Sequence, residues 1–238
     1  TGLSAGTLYY VRAYPTNSTG TSYGYNRSFT TPTTVTDYDN NSYGTVSYNG
    51  SVWTQSNLKT EHYNDGTALI QASDTSQYGY YSYYHSYNDN ATYGNRYGYL
   101  YNGSVIGGSK NICPTGWHVP TQSEWSTMSS YLGGYSTAGS KMTQLAGYER
   151  TSGYPSFLIL VNYWNSSISG HDNTGLFYGR GCGYYDGSYT GTLNYTRWWT
   201  GISDRYVYLY YGSGTLYGIG TNLTGIDADA YYVRCKKD

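Results

Sequence analysis

The side chains with the most reactive chemistry are few: Cys113, Cys182 and Cys235, and the histidines His62, His85, His118 and His171. A thiolate zinc site needs four sulfurs, and mixed sites announce themselves as CxxC or HExxH spacings; the chain has none of these. His118 stands in Gly116-Trp117-His118-Val119, and a catalytic histidine needs a carboxylate or nucleophile within hydrogen-bond reach. The neighbouring sequence offers no such partner, so the expected role is structural, with ring nitrogens bonded to nearby backbone. No GxSxG elbow and no recognisable glycosidase carboxylate pair occurs either. Asp37-Tyr38-Asp39 and Asp227-Ala228-Asp229 offer oxygen ligands for weak calcium binding, yet neither follows the EF-hand pattern. The expectation is a protein without enzyme activity, cofactor or resident metal.

Asparagines carry the most unusual pattern. Asn17, Asn26, Asn40, Asn49, Asn90, Asn102, Asn165, Asn194 and Asn222 each precede Ser or Thr by two residues with no proline between. That is about twice what chance gives for this Ser and Thr content. Two readings stay open: covalent glycans on an exposed extracellular surface, or biased composition without modification. Tyrosine is the other excess, with 36 residues in the chain. A ring with large contact area and a water-tolerant hydroxyl suits binding surfaces, so the surplus is expected to coat loops that meet neighbours, glycans or solvent.

Those groups need a scaffold, and 238 residues suffice for one large domain, or a domain plus a fragment, with a sizeable core. Charged residues make up 11% and aromatic residues 19%, which argues against simple disorder and for strands and turns. A formal charge of −1 without a Lys/Arg cluster removes the footprint of a nucleic-acid binder. No apolar run is long enough to span a bilayer; the most apolar stretch, Phe157 to Val161, suits a buried strand. Thr1 begins in what reads as the middle of a domain, so a mature, processed or incomplete chain is expected.

Along the chain, Leu3, Ala5, Thr7, Tyr9, Val11 and Ala13 alternate onto one face, and a polar turn from Asn17 to Gly20 leads to Tyr23, Tyr25 and Phe29. That predicts a hairpin over residues 1–30. The run resembles the last two strands of a fibronectin type III domain, with Tyr9 at the tyrosine-corner position. A lone hairpin is marginal in water, so either upstream strands or strands of another copy must complete it. Residues 31–36, TTPTTVT in context, read as a Pro/Thr linker. Farther on, Thr121-Gln122-Ser123-Glu124 is a capping box, followed at helical spacing by Trp125, Met128 and Leu132, with Gly133-Gly134 as the stop. A second helix is predicted near Ala138 to Ala146, surface loops with short strands over Tyr78 to Tyr101, and a closing strand over Tyr231 to Cys235.

From about Thr36 the anchors VTDYDNNSYGTVSYNGSVWTQSNLKTEHYNDGTAL, YGYLYN, NICPTGWHVPTQSEW, WW at Trp198 and Trp199, and YYVRCKKD stand in order. This pattern resembles the Fibrobacter succinogenes major paralogous domain over residues 37–238. The family is similar to C-type-lectin-like and formylglycine-generating-enzyme folds. The resemblance implies an α+β, C-type-lectin-like mixed domain with short strands, two helices and long loops, preceded by the Ig/fibronectin-like β-hairpin. It pairs Cys113 with Cys235, two buried thiols being the other possibility, and leaves Cys182 as a free buried thiol. The reactive cysteine pair of the enzyme relatives has no match here.

Trp53, Trp117, Trp125, Trp198 and Trp199 fall in family motifs and are expected in the core. Trp164 lies outside them and is the candidate for stacking on sugar. Together these imply a secreted, extracellular or cell-surface bacterial structural protein that self-associates into a homo-oligomer or filament. A C-type-lectin-like adhesin binding carbohydrate or protein through Tyr-rich loops is the other reading.

Overall fold

The computed structural model describes Leu3 and residues 7–31, 33–72, 82–142, 146–151, 154–162, 182–186, 188–192, 195–202, 205–212, 215–218 and 229–238. The chain divides into two compact units, Thr1–Thr34 and Val35–Asp238.

The first unit is the predicted hairpin. Leu8–Val11 runs antiparallel to Arg27–Thr30 with Tyr9 opposite Phe29, and Thr16–Asn17 pairs with Gly20–Thr21 at the tip. Asn17 Oδ1 accepts from the Thr19 N–H, and Gly20 at φ +140° lets the two-residue turn close. Of the anticipated face, Leu3, Val11, Tyr23 and Tyr25 are exposed and Tyr9 is half-buried, and Leu8, Tyr10 and Tyr14 outside that face are exposed too.

The second unit mixes sheets with short helices, an α+β architecture. One sheet orders its strands Trp117–His118, Lys236–Lys237, Ser51–Thr54, Ser42–Tyr48 and Thr34–Thr36. Thr34–Thr36, expected as linker, is thus an edge strand, as its β-branched residues favour. The larger sheet orders Thr215–Gly218, Tyr206–Gly212, Tyr195–Trp199, Cys182–Tyr185, Ala230–Tyr231, Leu100–Asn102, Tyr83–His85 and Ile70–Gln71, with Tyr189–Thr192 branching from Cys182–Tyr185. Phe157 to Val161 lies in the strand Tyr154–Asn162, which pairs with Ala146–Thr151.

Four α-helices occur among the described residues, where two were expected: α1 Ala91–Tyr97, α2 Gly103–Gly107, α3 Gln122–Tyr131 and α4 Tyr135–Met142. The capping box of α3 forms in both directions, between Thr121 and Glu124. Its Trp125 and Met128 are buried, and Gly133 and Gly134 follow at positive φ. The helix α4 starts three residues earlier than predicted and ends at Met142, burying Ala138 and Met142.

Tyr78 to Tyr101 departs most from expectation. Its described part contributes a fully buried strand, Tyr83–His85, a turn whose Tyr87 is buried, and α1. Tyr43, Tyr83, Tyr101, Tyr231 and Tyr232 are among the largest fully buried side chains, so tyrosine fills the core as well as the surface. The hydroxyls permit this by finding acceptors: Tyr101 donates to Thr60 C=O at 2.9 Å and Tyr231 to Asp229 at 2.7 Å.

The core has two centres. Trp53 meets Trp125 edge-on at 5.0 Å, and Trp125 stacks on Trp198 at 5.8 Å, surrounded by Met128, Leu132, Val207 and Leu209. The second centre gathers Trp117, Trp199, Tyr231 and Val233 around a disulfide between Cys113 and Cys235. All five motif tryptophans are therefore core residues, and the implied cysteine pairing is present.

Candidate functional site

The segment that closes the fold also builds its main cleft. Leu58 N–H donates to Val233 C=O, and Thr54 N–H to Cys235 C=O, so residues 54–58 and 233–235 are laced together. Arg234 lies between those contacts and is 1% exposed. Its Nε donates to Asn57 Oδ1 at 2.6 Å and its Nη1 to Thr54 C=O at 3.1 Å. Trp198 Nε1 donates to the same Asn57 oxygen at 2.7 Å, while Asn57 Nδ2 donates to Tyr97 C=O at 2.7 Å. One amide thus fixes a guanidinium, an indole and the last residue of α1.

Gly98 ends that helix at φ +85° and packs so closely that a Cβ would sit 2.6 Å from Leu58 C=O. Only glycine meets both demands.

Above Arg234 opens a cleft of about 450 Å³, lined also by Ser42, Tyr43, Gln55, Ser56, Asn57, Lys59, Asn95, Arg96, Tyr97 and Gly98. Lys59 and Arg96 are half-buried on its wall. Among the described residues lining it there are three cations and no carboxylate. The chemistry on offer is donation of hydrogen bonds and positive charge. Tyr43 is buried at one side, its hydroxyl donating to Asp37, and burial together with that carboxylate pushes the phenol well above its ordinary range.

None of these residues was a candidate from the sequence. The available signal was Arg234 itself, a cation inside the apolar run predicted as the closing strand; that run is not one strand, since Arg234 lies between the short strands Ala230–Tyr231 and Lys236–Lys237.

His118 departs from the expected backbone-bonded role. Its Nδ1 lies 2.5 Å from Asp238 Oδ1 and its Nε2 3.1 Å from both Glu124 oxygens. The sheet places Trp117–His118 beside Lys236–Lys237, and the capping box aims Glu124 at the same spot, so partners distant in sequence converge. Lys236 Nζ completes the cluster 3.0 Å from Glu124. Burial tends to raise the Glu124 pKa, but donation from Thr121 N–H, Lys236 and His118 outweighs it and holds the carboxyl at about 2. The cluster ties the last strand to the start of α3.

The acidic Asp37-Tyr38-Asp39 stretch is engaged by protein donors. Asp37 accepts from Asn41 and Tyr43, and Asp39 from Thr60, Glu61 N–H and His62. Of the other acidic stretch, Asp229 accepts from Tyr231, and Asp227 lies outside the described residues. Among the described residues no group of three His, Cys, Asp or Glu forms a metal cluster.

The sequons divide. Asn17, Asn26, Asn40 and Asn49 are exposed. Asn90 is exposed but caps α1 through Thr92 N–H. Asn102 is fully buried, its Oδ1 accepting from Tyr83 N–H at 3.1 Å, so it is corrected from glycan acceptor to core residue. Asn165, Asn194 and Asn222 lie outside the described residues, as does Trp164. Cys182 begins the strand Cys182–Tyr185, with its side chain outside the description. No helix among the described residues is long and apolar enough to cross a membrane.

Neither the curated proteins nor the solved structures contain a match to this chain. The profile of the Fibrobacter succinogenes major domain matches residues 46–237, which include the tryptophan core, both bridged cysteines and Arg234. The chain belongs to the Fibrobacter succinogenes major domain family.

Proposed function

We propose that this chain is an exported, non-enzymatic bacterial surface module of lectin-like and fibronectin-like kinship that associates with copies of itself through its leading hairpin. The observation that carries the reading is the exposure of apolar side chains on both sides of that hairpin, with Leu8 and Tyr10 on one side of the first strand and Val11 on the other. A two-stranded ribbon buries too little to hold itself in water, so strands from elsewhere, upstream in the same polypeptide or from a neighbouring copy, must cover it, and strand addition from a neighbour is the source taken in this reading. The Cys113–Cys235 bridge supports export, since such bonds persist in oxidising compartments. The exposed sequons are compatible with a solvated outer surface and give a glycan, where present, an accessible attachment point.

The test is the assembly state of the oxidised chain. Sedimentation and electron microscopy should show association that grows with concentration and disappears when residues 1–34 are deleted. A chain that stays monomeric at high concentration, or one that associates equally well without residues 1–34, refutes the reading.

A further inference from the structure

We propose that Asn49 carries a covalent glycan and that the cavity beside it seats the first sugar ring. The inference rests on the export proposed for this chain and not on association through its hairpin, because Asn49 lies in the second unit.

Geometry singles out this sequon. Asn49 and Gly50 form the two-residue link between the strands Ser42–Tyr48 and Ser51–Thr54, with Tyr48 opposite Ser51. Asn49 at φ 49° and Gly50 at φ 82° are both left-handed, the geometry of the tight hairpin turn that Asn-Gly favours. The turn leaves Asn49 exposed and sets the ring before it and the sequon hydroxyl after it in one cross-strand pair. The other described sequons lack this combination. Asn17 and Asn90 lend their Oδ1 to the N–H of Thr19 and Thr92, and Asn102 is buried. Tyr25, before Asn26, is 91% exposed, and Tyr38, two residues before Asn40, packs on His62. A cavity beside Asn17 has no aromatic wall.

Asn49 lines a cavity of about 230 Å³ whose other walls include Tyr48, Ser51, Glu124, Thr127, Tyr131 and Lys236. That volume is below the range of drug-sized ligands and suits a single ring. Tyr48 is buried and Tyr131, the last residue of α3, is 57% exposed, with the two rings 6.4 Å apart and inclined at 59°. The electron-rich face of a phenol ring suits the C–H-bearing face of a pyranose, and a sugar laid there covers Tyr131. Glu124 is held by Thr121, His118 and Lys236, so that side of the cavity is a fixed polar wall. The Thr127 hydroxyl donates to Ser123 C=O at 2.9 Å and keeps lone pairs for a sugar hydroxyl.

The step is a glycosyl transfer. Asn49 Nδ2 bonds to C1 of a sugar carried on a polyprenyl pyrophosphate and gives up one proton, while the C1–O bond breaks with its electron pair going to the pyrophosphate.

The experiment starts from the native chain recovered from the bacterium that makes it. Surface labelling of intact cells reports export, and mass spectrometry of the tryptic peptide 28–59, with electron-transfer fragmentation to separate Asn40 from Asn49, reports attachment. Asn49 should carry the added sugar mass. Surface-labelled chain with a bare Asn49 overturns the proposal and leaves export standing; a chain confined to the cell interior refutes export, and the proposal with it. Seating is read from thermal unfolding of chains made in the same host. Tyr131→Ala should lower the midpoint of the glycosylated chain by about 2 to 4 °C, the shift one aromatic contact gives in a domain of this length. The shift should be clearly smaller in a Ser51→Ala chain, which keeps the Asn49 turn and loses the sequon. Equal shifts in both backgrounds, or none in either, overturn the proposal.

Discussion

Asn57 shows how much one side chain of this protein is asked to do. Its carbonyl oxygen serves Arg234 and Trp198 together, and its amide reaches Tyr97. Replacing it by Leu keeps the volume and removes all three contacts, so Asn57→Leu should cost about 3 kcal/mol or more, measured by urea unfolding. An unchanged midpoint would show that the amide is a bystander. His85 is the residue that makes stability depend on pH just below neutrality. It is buried in the strand Tyr83–His85, with the Tyr189 hydroxyl 2.9 Å from Nδ1. Burial drives its pKa down to about 4, against weaker upward pulls from Asp89 and the Ser86 carbonyl. The unfolded chain, with an ordinary histidine near 6.5, takes up that proton first as pH falls. Between about pH 6.5 and 4 the unfolded state therefore binds more protons, and stability should drop by roughly 3 kcal/mol across the window. A His85→Gln variant should lack this part of the slope when unfolding is followed at pH 7 and 4.5; an identical slope would assign it elsewhere.

At the scale of elements, α1 is the piece that holds the cleft in shape, and it ends on Gly98 because a left-handed residue is needed where Leu58 and Asn57 press close. Gly98→Ala meets both an unfavourable φ and a carbonyl contact, so a loss of about 2 to 3 kcal/mol in thermal or urea unfolding is expected. Retained stability would mean that the 57–58 segment can move away freely. The elements legible in sequence are those with short-range codes. The Asn17–Gly20 turn, the Thr121/Glu124 box and the Trp125, Met128, Leu132 spacing each declare themselves within a few residues. The stretch Tyr83–Tyr97 did not, because tyrosine is used there both as core and as rim, and a helix of seven residues is too short to show a period. The cleft was hidden for another reason: Asn57 and Arg234 lie 177 positions apart, and their meeting is a property of the closed sheet. His118 was misread in the same way, since its Asp238 partner is brought in by strand pairing.

For the whole molecule, the Cys113–Cys235 bridge closes a loop spanning 122 positions. In the chain-entropy account such a closure stabilises by about 5 kcal/mol, so a Cys113→Ser/Cys235→Ser double variant should lose about that much in chemical denaturation. Loss of a few tenths of a kcal/mol would mean that the two core centres stand without the crosslink. The bridge also fixes an order of events. Residues 229–238 supply a central strand to each of the two larger sheets, the buried Tyr231 to Cys235 run and one end of the crosslink. The ribosome makes that stretch last within the domain, so during translation the preceding two hundred residues lack the piece that would lock them.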